Sequence, residues 1–225
     1  MIKQALKIDM LEKLYDLYDQ YIESIEVACC KGCSSCCTCN VTMTTLERAY
    51  LLNSLDPSCK EKLRDQIRAN ISDKRYHPKV TLNRFAQICM DGKEPPEEEN
   101  DPLWGQCPLL KDDICAVYNA RPFGCRSLVS EKRCTHSGFA EMSSLALTIN
   151  SIFLQYIEHL DADGFSGNFT DMILLHDLKT DSFEKRKKIT KGNIIRNHKA
   201  TVLMVPPEHK DKVQPLLKEI CQIFG

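Results

Sequence analysis

Thiols are the residues best equipped for chemistry in this chain, and they are crowded. Cys29, Cys30, Cys33, Cys36, Cys37 and Cys39 fall within eleven residues, around a single glycine, Gly32. Thiols this close form disulfides, bind a metal or carry redox chemistry. A second group follows far downstream, where Cys107, Cys115, Cys125 and Cys134 recur among Pro108, Pro122, Gly105 and Gly124. Irregular backbone of this composition suits metal ligation, because thiolates must converge from several directions and free N–H groups can donate to sulfur.

The spacing Cys30-x2-Cys33-x2-Cys36 opens in the manner of a bacterial ferredoxin run, whose fourth cysteine serves a different cluster from the first three in two-cluster proteins. Here the fourth thiol, Cys37, is directly adjacent to the third. Neighbouring side chains diverge, so Cys36 and Cys37 need not serve the same atom. The expected ligand set is Cys30, Cys33, Cys36, Cys37, Cys107, Cys115, Cys125 and Cys134. Eight thiols permit one four-thiolate site with spares or two such sites. Arg121 and Arg126 bracket Cys125 and are the expected cofactor-binding side chains, offsetting the negative charge of a thiolate-held centre and donating to its sulfurs.

Zinc is the alternative metal. Four-thiolate zinc sites often pair two C-x2-C knuckles; Cys30/Cys33 or Cys33/Cys36 supplies one, and the downstream group supplies none. Cys29, Cys33 and Cys36 also match the C-x3-C-x2-C spacing of radical S-adenosylmethionine enzymes, but no repeated βα units follow. Cys29 and Cys39 flank the pattern. Cys59, Cys89 and Cys221 fall in amphipathic segments and are expected as small core residues. His136, close to Cys134, is the one candidate accessory ligand among the histidines. No P-loop, dinucleotide fingerprint or Ser/His/Asp order can be read.

In order and combination, Cys30-x2-Cys33-x2-Cys36-Cys37, then Cys107-Pro108-Leu109, then Cys115-Ala116-Val117-Tyr118-Asn119-Ala120-Arg121-Pro122-x2-Cys125-Arg126 resembles the CxxCxxCC, or YkgJ-type, cysteine-cluster family. Its members are described as zinc- or iron-chelating domains. The resemblance covers about residues 30–134. It implies a metal or iron–sulfur centre on these cysteines, with a 4Fe–4S cluster favoured. A more distant likeness to flagellin lysine methylase implies methyl transfer as an alternative activity, with S-adenosylmethionine as cosubstrate under that reading alone. A structural zinc module that presents an interaction surface is the third alternative.

The elements that must hold these thiols are mainly helical. Leu11, Leu14, Tyr18, Tyr21, Ile22 and Ile25 recur at three- and four-residue steps and predict a helix over 3–27. Thr44 and Glu47 fit a capping box and predict a helix to about Leu55, before Pro57. Further helices are expected over 60–71, 81–90, 141–160 and 170–177. A run over 200–205 reads as a strand, and 208–224 as a final helix after Pro206 and Pro207. Glu94 to Pro102 reads as a solvated acidic loop, and Asp181 to Arg196 as exposed. The predicted fold is mainly α with a minor β element: a helical cysteine-cluster domain over 1–165 and a C-terminal strand–helix extension over 166–225 packed on it, or one domain throughout.

Composition bounds the rest. The chain has 225 residues, 43% of them apolar, and a formal net charge of −1. That is enough apolar material for a sizeable core. No basic bias points to nucleic acid. No apolar run reaches the roughly 18–20 residues of a membrane span, and no secretory leader is visible at the N-terminus. The expectation is a cytoplasmic protein whose thirteen cysteines stay reduced, with an unidentified protein as its partner or substrate.

Overall fold

The computed structural model describes residues 3–30, 32–134, 140–175 and 193–225. The architecture is mainly α with a small β part. Helix α1 spans Gln4–Glu23. Strand β1 is Thr42–Thr44, α2 Thr45–Asn53, α3 Pro57–Asn70 and α4 Leu82–Met90. A hairpin of β2, Leu110–Lys111, and β3, Ile114–Cys115, precedes the short α5, Phe123–Arg126. Then come α6, Ser144–Leu160, β4, Phe165–Asn168, α7, Phe169–Leu174, β5, Ile194–Arg196, and α8, Lys210–Phe224. No helix among the described residues is long and apolar enough to cross a membrane.

Two apolar clusters build the molecule. In the first, Leu11, Leu14 and Tyr18 of α1 pack with Ile152, Phe153 and Ile157 of α6 and Val213 and Ile220 of α8. Tyr18 buries its ring edge-on to Phe123, 4.6 Å between centroids, and its hydroxyl donates to Asn150 Oδ1 at 2.8 Å. In the second, Met43, Leu51, Leu63 and Ile67 meet Leu109, Phe169, Met172 and Ile173, and Cys107 and Cys115 pack against them. Each fully buried side chain of this size contributes about 1.5–3 kcal/mol.

Strands β1, β4 and β5 form an antiparallel sheet in that order. Thr42 faces Asn168, and Phe165 faces Arg196. Strand β4 straddles the 165/166 position, so residues from both sides of it share one ladder.

The predicted helices exist among the described residues, with shifted ends; residues 176–177 of the one expected over 170–177 lie outside the described residues. Helix α1 stops at Glu23, four residues early: a turn at Ser24 and Ile25 ends it, and beyond that turn the Ala28 N–H donates to Ser130 O at 2.8 Å. Helix α6 starts at Ser144 rather than 141, capped by Ser143. The capping box at Thr44 and Glu47 forms as expected. The strand expected over 200–205 does not form. Its backbone finds the Gln155 amide instead: Gln155 Nε2 donates to Val202 O at 2.7 Å, and Met204 N–H donates to Gln155 Oε1 at 2.8 Å. The C-terminal strand is β5; of the described part of the stretch expected to be exposed, Ile194 is buried, Ile195 half-buried and Arg196 exposed. Residues 181–192 of that stretch lie outside the described residues.

The acidic loop is exposed for most of its length, with one exception. Glu98 accepts from the Tyr76 hydroxyl and from the N–H groups of Lys79 and Val80. It thereby ties the loop to the segment before α4.

Candidate metal centre

Two short devices shape the cysteine loop. Gly32 takes φ +85°, a left-handed turn that strains any residue with a Cβ. Next to it the Cys33 N–H donates back to Cys30 O at 3.0 Å. Beyond it Cys37 N–H donates to Ser34 O at 2.9 Å. The described residues of the loop make tight turns and no helix.

The downstream thiols arrive on three different supports. Cys107 donates its N–H to Cys37 O at 2.9 Å, and Cys39 N–H donates to Gly105 O at 2.9 Å, stitching the two regions together by backbone. Cys115 sits on the hairpin opposite Leu110. Its turn residues, Asp112 and Asp113, have φ 49° and 60°, the conformation of a two-residue type I′ turn. The Asp113 carboxylate accepts from the Ser34 hydroxyl, so the hairpin tip touches the cysteine loop. Cys125 rides on α5. Phe123 plugs that helix into the first core, and Phe123 N–H donates to the buried Glu47 carboxylate at 2.7 Å. Glu47 also accepts from Tyr15 Oη at 2.9 Å and from Thr44 N–H at 2.7 Å. A Cβ on Gly124 would sit 3.0 Å from Thr42 O, so the close seat of α5 on β1 depends on that glycine.

The result is a cavity of about 110 Å³ lined by nine cysteines: Cys29, Cys30, Cys33, Cys36, Cys37, Cys39, Cys107, Cys115 and Cys125. Seven of the eight expected ligands are among them. Cys134 is not on the lining; it is buried nearby, 6% exposed. Cys30 lies on the exposed rim. Cys29, left out of the expected set, points inward, its sulfur 3.3 Å from the Ser130 N–H. Its signals in the sequence are the doublet with Cys30 and the C-x3-C-x2-C spacing with Cys33 and Cys36, and neither says which of two adjacent thiols turns inward. All thirteen cysteines are free thiols. Cys59 is half-buried, and Cys89 and Cys221 are exposed, so none is the core residue expected. Their helices are amphipathic, but these thiols do not lie on the buried faces. His136 lies outside the described residues.

Comparison with protein-family models, with curated proteins and with solved structures returns no match. The chemistry of the site therefore has to be argued from its own atoms.

The thiols converge without closing on one point. Among the described residues no three His, Cys, Asp or Glu side chains form a group that could hold a metal ion. Cys36 and Cys37, expected to diverge, instead keep their thiols close enough to perturb each other as hydrogen-bonding partners. Cys37 is held below the usual thiol range by that bond, against the pull of burial and of the Cys107, Cys125 and Cys115 thiols. Cys36 is pushed far up by the same bond and then by burial. Burial raises Cys107 to about 11 and Cys125 well above the ordinary value, with neighbouring thiols adding to both. These groups are protonated at neutral pH, and metal binding has to displace their protons.

The two arginines differ. Arg126 is committed to structure: it pairs with Asp19 at 2.9 Å, donates to the carbonyls of Arg121 and Asn119, and lies 4.2 Å over the Tyr15 ring. Arg121 stacks 4.0 Å over half-exposed Tyr118, and its buried Nε has no hydrogen-bond partner among the described residues. A buried orphan donor on a cation costs free energy until an acceptor arrives. Arg121 also favours the ionised forms of Cys36 and Cys125. An all-sulfur donor set is what soft metals and iron–sulfur clusters select. With the orphan guanidinium beside it, the site fits a negatively charged metal–thiolate group.

Proposed function

We propose that this chain is a metal-binding protein that holds an iron–sulfur cluster, 4Fe–4S in preference to zinc, on its converging thiols. One observation carries the proposal: two cysteine groups seventy residues apart in sequence line a single cavity, beside a buried arginine nitrogen that has no acceptor. The cysteines that line the cavity from both groups would supply the ligands, and Arg121 would balance the charge of the centre. Four-thiolate zinc, with Zn–S bonds of about 2.3 Å, often pairs two C-x2-C knuckles; the downstream thiols supply none, which favours the cluster. A bound cluster would supply one-electron redox chemistry. The protein would supply sulfur ligands, burial and a guanidinium donor, which together set the potential.

A second reading, that the centre serves an enzyme, draws on a cleft of about 740 Å³ lined by Cys33, Cys37, Tyr50, Ile114 and Tyr118, which shares thiols with the cavity. That volume is in the range of small-molecule sites. The flagellin-methylase alternative predicts that S-adenosylmethionine binds the cluster-loaded chain in calorimetry. Absence of heat removes that alternative and leaves the metal proposal intact.

The deciding experiment is iron, zinc and acid-labile sulfide analysis of anaerobically purified chain, with a visible spectrum. Iron and sulfide in matching amounts in a brown protein are expected. Stoichiometric zinc in a colourless protein would replace the cluster with a structural zinc site. A metal-free chain that takes up neither metal on reconstitution would overturn the proposal.

A further inference from the structure

Three hollows meet at Tyr118. It lines the thiol cavity, the cleft of about 740 Å³ described above and a second cleft of about 550 Å³. Tyr50 and Asn119 line both clefts, so the two adjoin. Arg121 and Arg126 line the thiol cavity and the smaller cleft. One face of the molecule therefore carries both clefts and the edge of the thiol cavity.

The larger cleft is mainly apolar. Leu55, Leu110, Ile114, Ala116 and Val117 supply much of its wall. Ile114, beside the hairpin turn, is 59% exposed, and Tyr118 is 50% exposed. Exposed apolar side chains grouped at a cleft and bordered by polar ones mark interaction sites. The smaller cleft supplies the polar border. Glu12, Asp16, Asp19 and Glu23 recur along α1 at helical spacing, so they share one face of it, and all line this cleft. Asp19 is paired with Arg126. Glu12, Asp16 and Glu23 are exposed and have no ion pair among the described residues. Arg121, the other cation of the cleft, is stacked on Tyr118.

Carboxylates ranged beside an apolar hollow match a partner of the inverse pattern, an apolar anchor bordered by lysine or arginine. A second copy of this chain meeting the face symmetrically brings the same patch against itself, and like charges facing each other oppose association.

We propose that this face is the docking surface for a basic protein partner, whose apolar anchor sits in the cleft beside Ile114 and Tyr118 and whose cationic side chains lie along Glu12, Asp16 and Glu23. The surface goes beyond the metal reading and uses no expected ligand as a contact. Under the metal reading, a partner docked here stands at the edge of the thiol cavity, where electrons or metal would be exchanged with the centre.

The test is fluorescence anisotropy on the full chain as purified. The probe is a labelled lysine-rich peptide with a phenylalanine at its centre, measured beside its counterpart with glutamate for lysine. The lysine peptide is expected to bind and to lose affinity as salt rises to about 0.5 M; the glutamate peptide is expected not to bind. A triple variant, Glu12→Gln, Asp16→Asn and Glu23→Gln, is expected to bind the lysine peptide about tenfold more weakly. Ile114→Ser is expected to weaken it about fivefold and to leave its salt dependence as it was. Glu97→Gln with Glu99→Gln, in the acidic loop, is expected to change nothing. The substituted side chains are exposed, and circular dichroism checks that each variant is folded. No binding of the lysine peptide overturns the proposal. Equal weakening by the loop variant, or full affinity in both the α1 and Ile114 variants, overturns it too. A dimer in sedimentation that Ile114→Ser dissociates would give the face to a second copy instead. Metal content, assayed on the same samples, tests the metal reading separately.

Discussion

The N-terminus of α2 and the thiol cavity bury polar groups in opposite ways. At α2 the account is closed. Glu47 accepts from Thr44 N–H, Tyr15 Oη and Phe123 N–H. Asp161 accepts from Thr45 Oγ1, Leu46 N–H and Asn197 Nδ2. In the cavity the account is open: Arg121 Nε has no acceptor, and raised thiols face one another. Satisfied buried groups fix a fold, whereas unsatisfied ones cost stability and persist where a ligand completes them. The contrast separates a cluster whose polar groups are all satisfied within the fold from one that holds a donor without an acceptor.

The sharpest way to break that contrast is Glu47→Ala. It strands three buried donors at once and is expected to cost about 3–5 kcal/mol, read from urea unfolding of the metal-free chain. A cost below about 1 kcal/mol would mean that the α2 cluster is not the structural anchor.

Arg121→Met keeps the aliphatic stem and removes the charge. It is expected to leave metal-free stability within about 0.5 kcal/mol and to weaken metal binding about tenfold, measured by competition with a chelator. Equal metal affinity, or a stability loss like that of Glu47→Ala, would move Arg121 to the structural side.

A pH comparison sharpens the same line. Burial raises Asp161 to about 6, against the hydrogen bonds from Thr45 and Leu46. The unfolded carboxyl ionises first, so the stability this group lends is present in full below its unfolded value near 3.8 and is lost as pH rises through about 6. Asp161→Asn keeps one oxygen for the three donors that meet at Oδ2, loses the second carboxylate oxygen at every pH and escapes this loss. Its destabilisation should therefore be smaller at pH 7.5 than at pH 5, by about 1 kcal/mol. A pH-independent difference would contradict the shift. The smallest effects are expected from Cys89→Ser and Cys221→Ser, which should change neither metal content nor stability by more than about 0.5 kcal/mol.

Local rules were legible in the sequence. The capping box at Thr44 and Glu47 is an interaction over three residues, and the structure forms it as read. The same Glu47 also holds Phe123, seventy-six residues away, and no spacing announces that bond. The convergence of Cys37 with Cys107 could be anticipated because few other fates suit so many thiols. The turning-in of Cys29 instead of Cys30 could not, because it depends on a backbone bond to Ser130. The run at 200–205 had a strand's side chains, but a strand needs a neighbouring strand with free backbone groups, and Gln155 took that place. Arg121 and Arg126 look alike beside Cys125. Only the Asp19 carboxylate on a distant helix draws one of them away.

The backbone bond from Cys107 to Cys37 also has a consequence for biosynthesis. At about 5–20 residues per second, a ribosome finishes the first thiol run roughly 4–14 s before the segment around Cys107 that closes over it. Six sulfurs spend that interval on a nascent chain with no counterpart to cover them, so premature oxidation competes with closure, and any metal that needs both groups would have to wait until the later segment has been made.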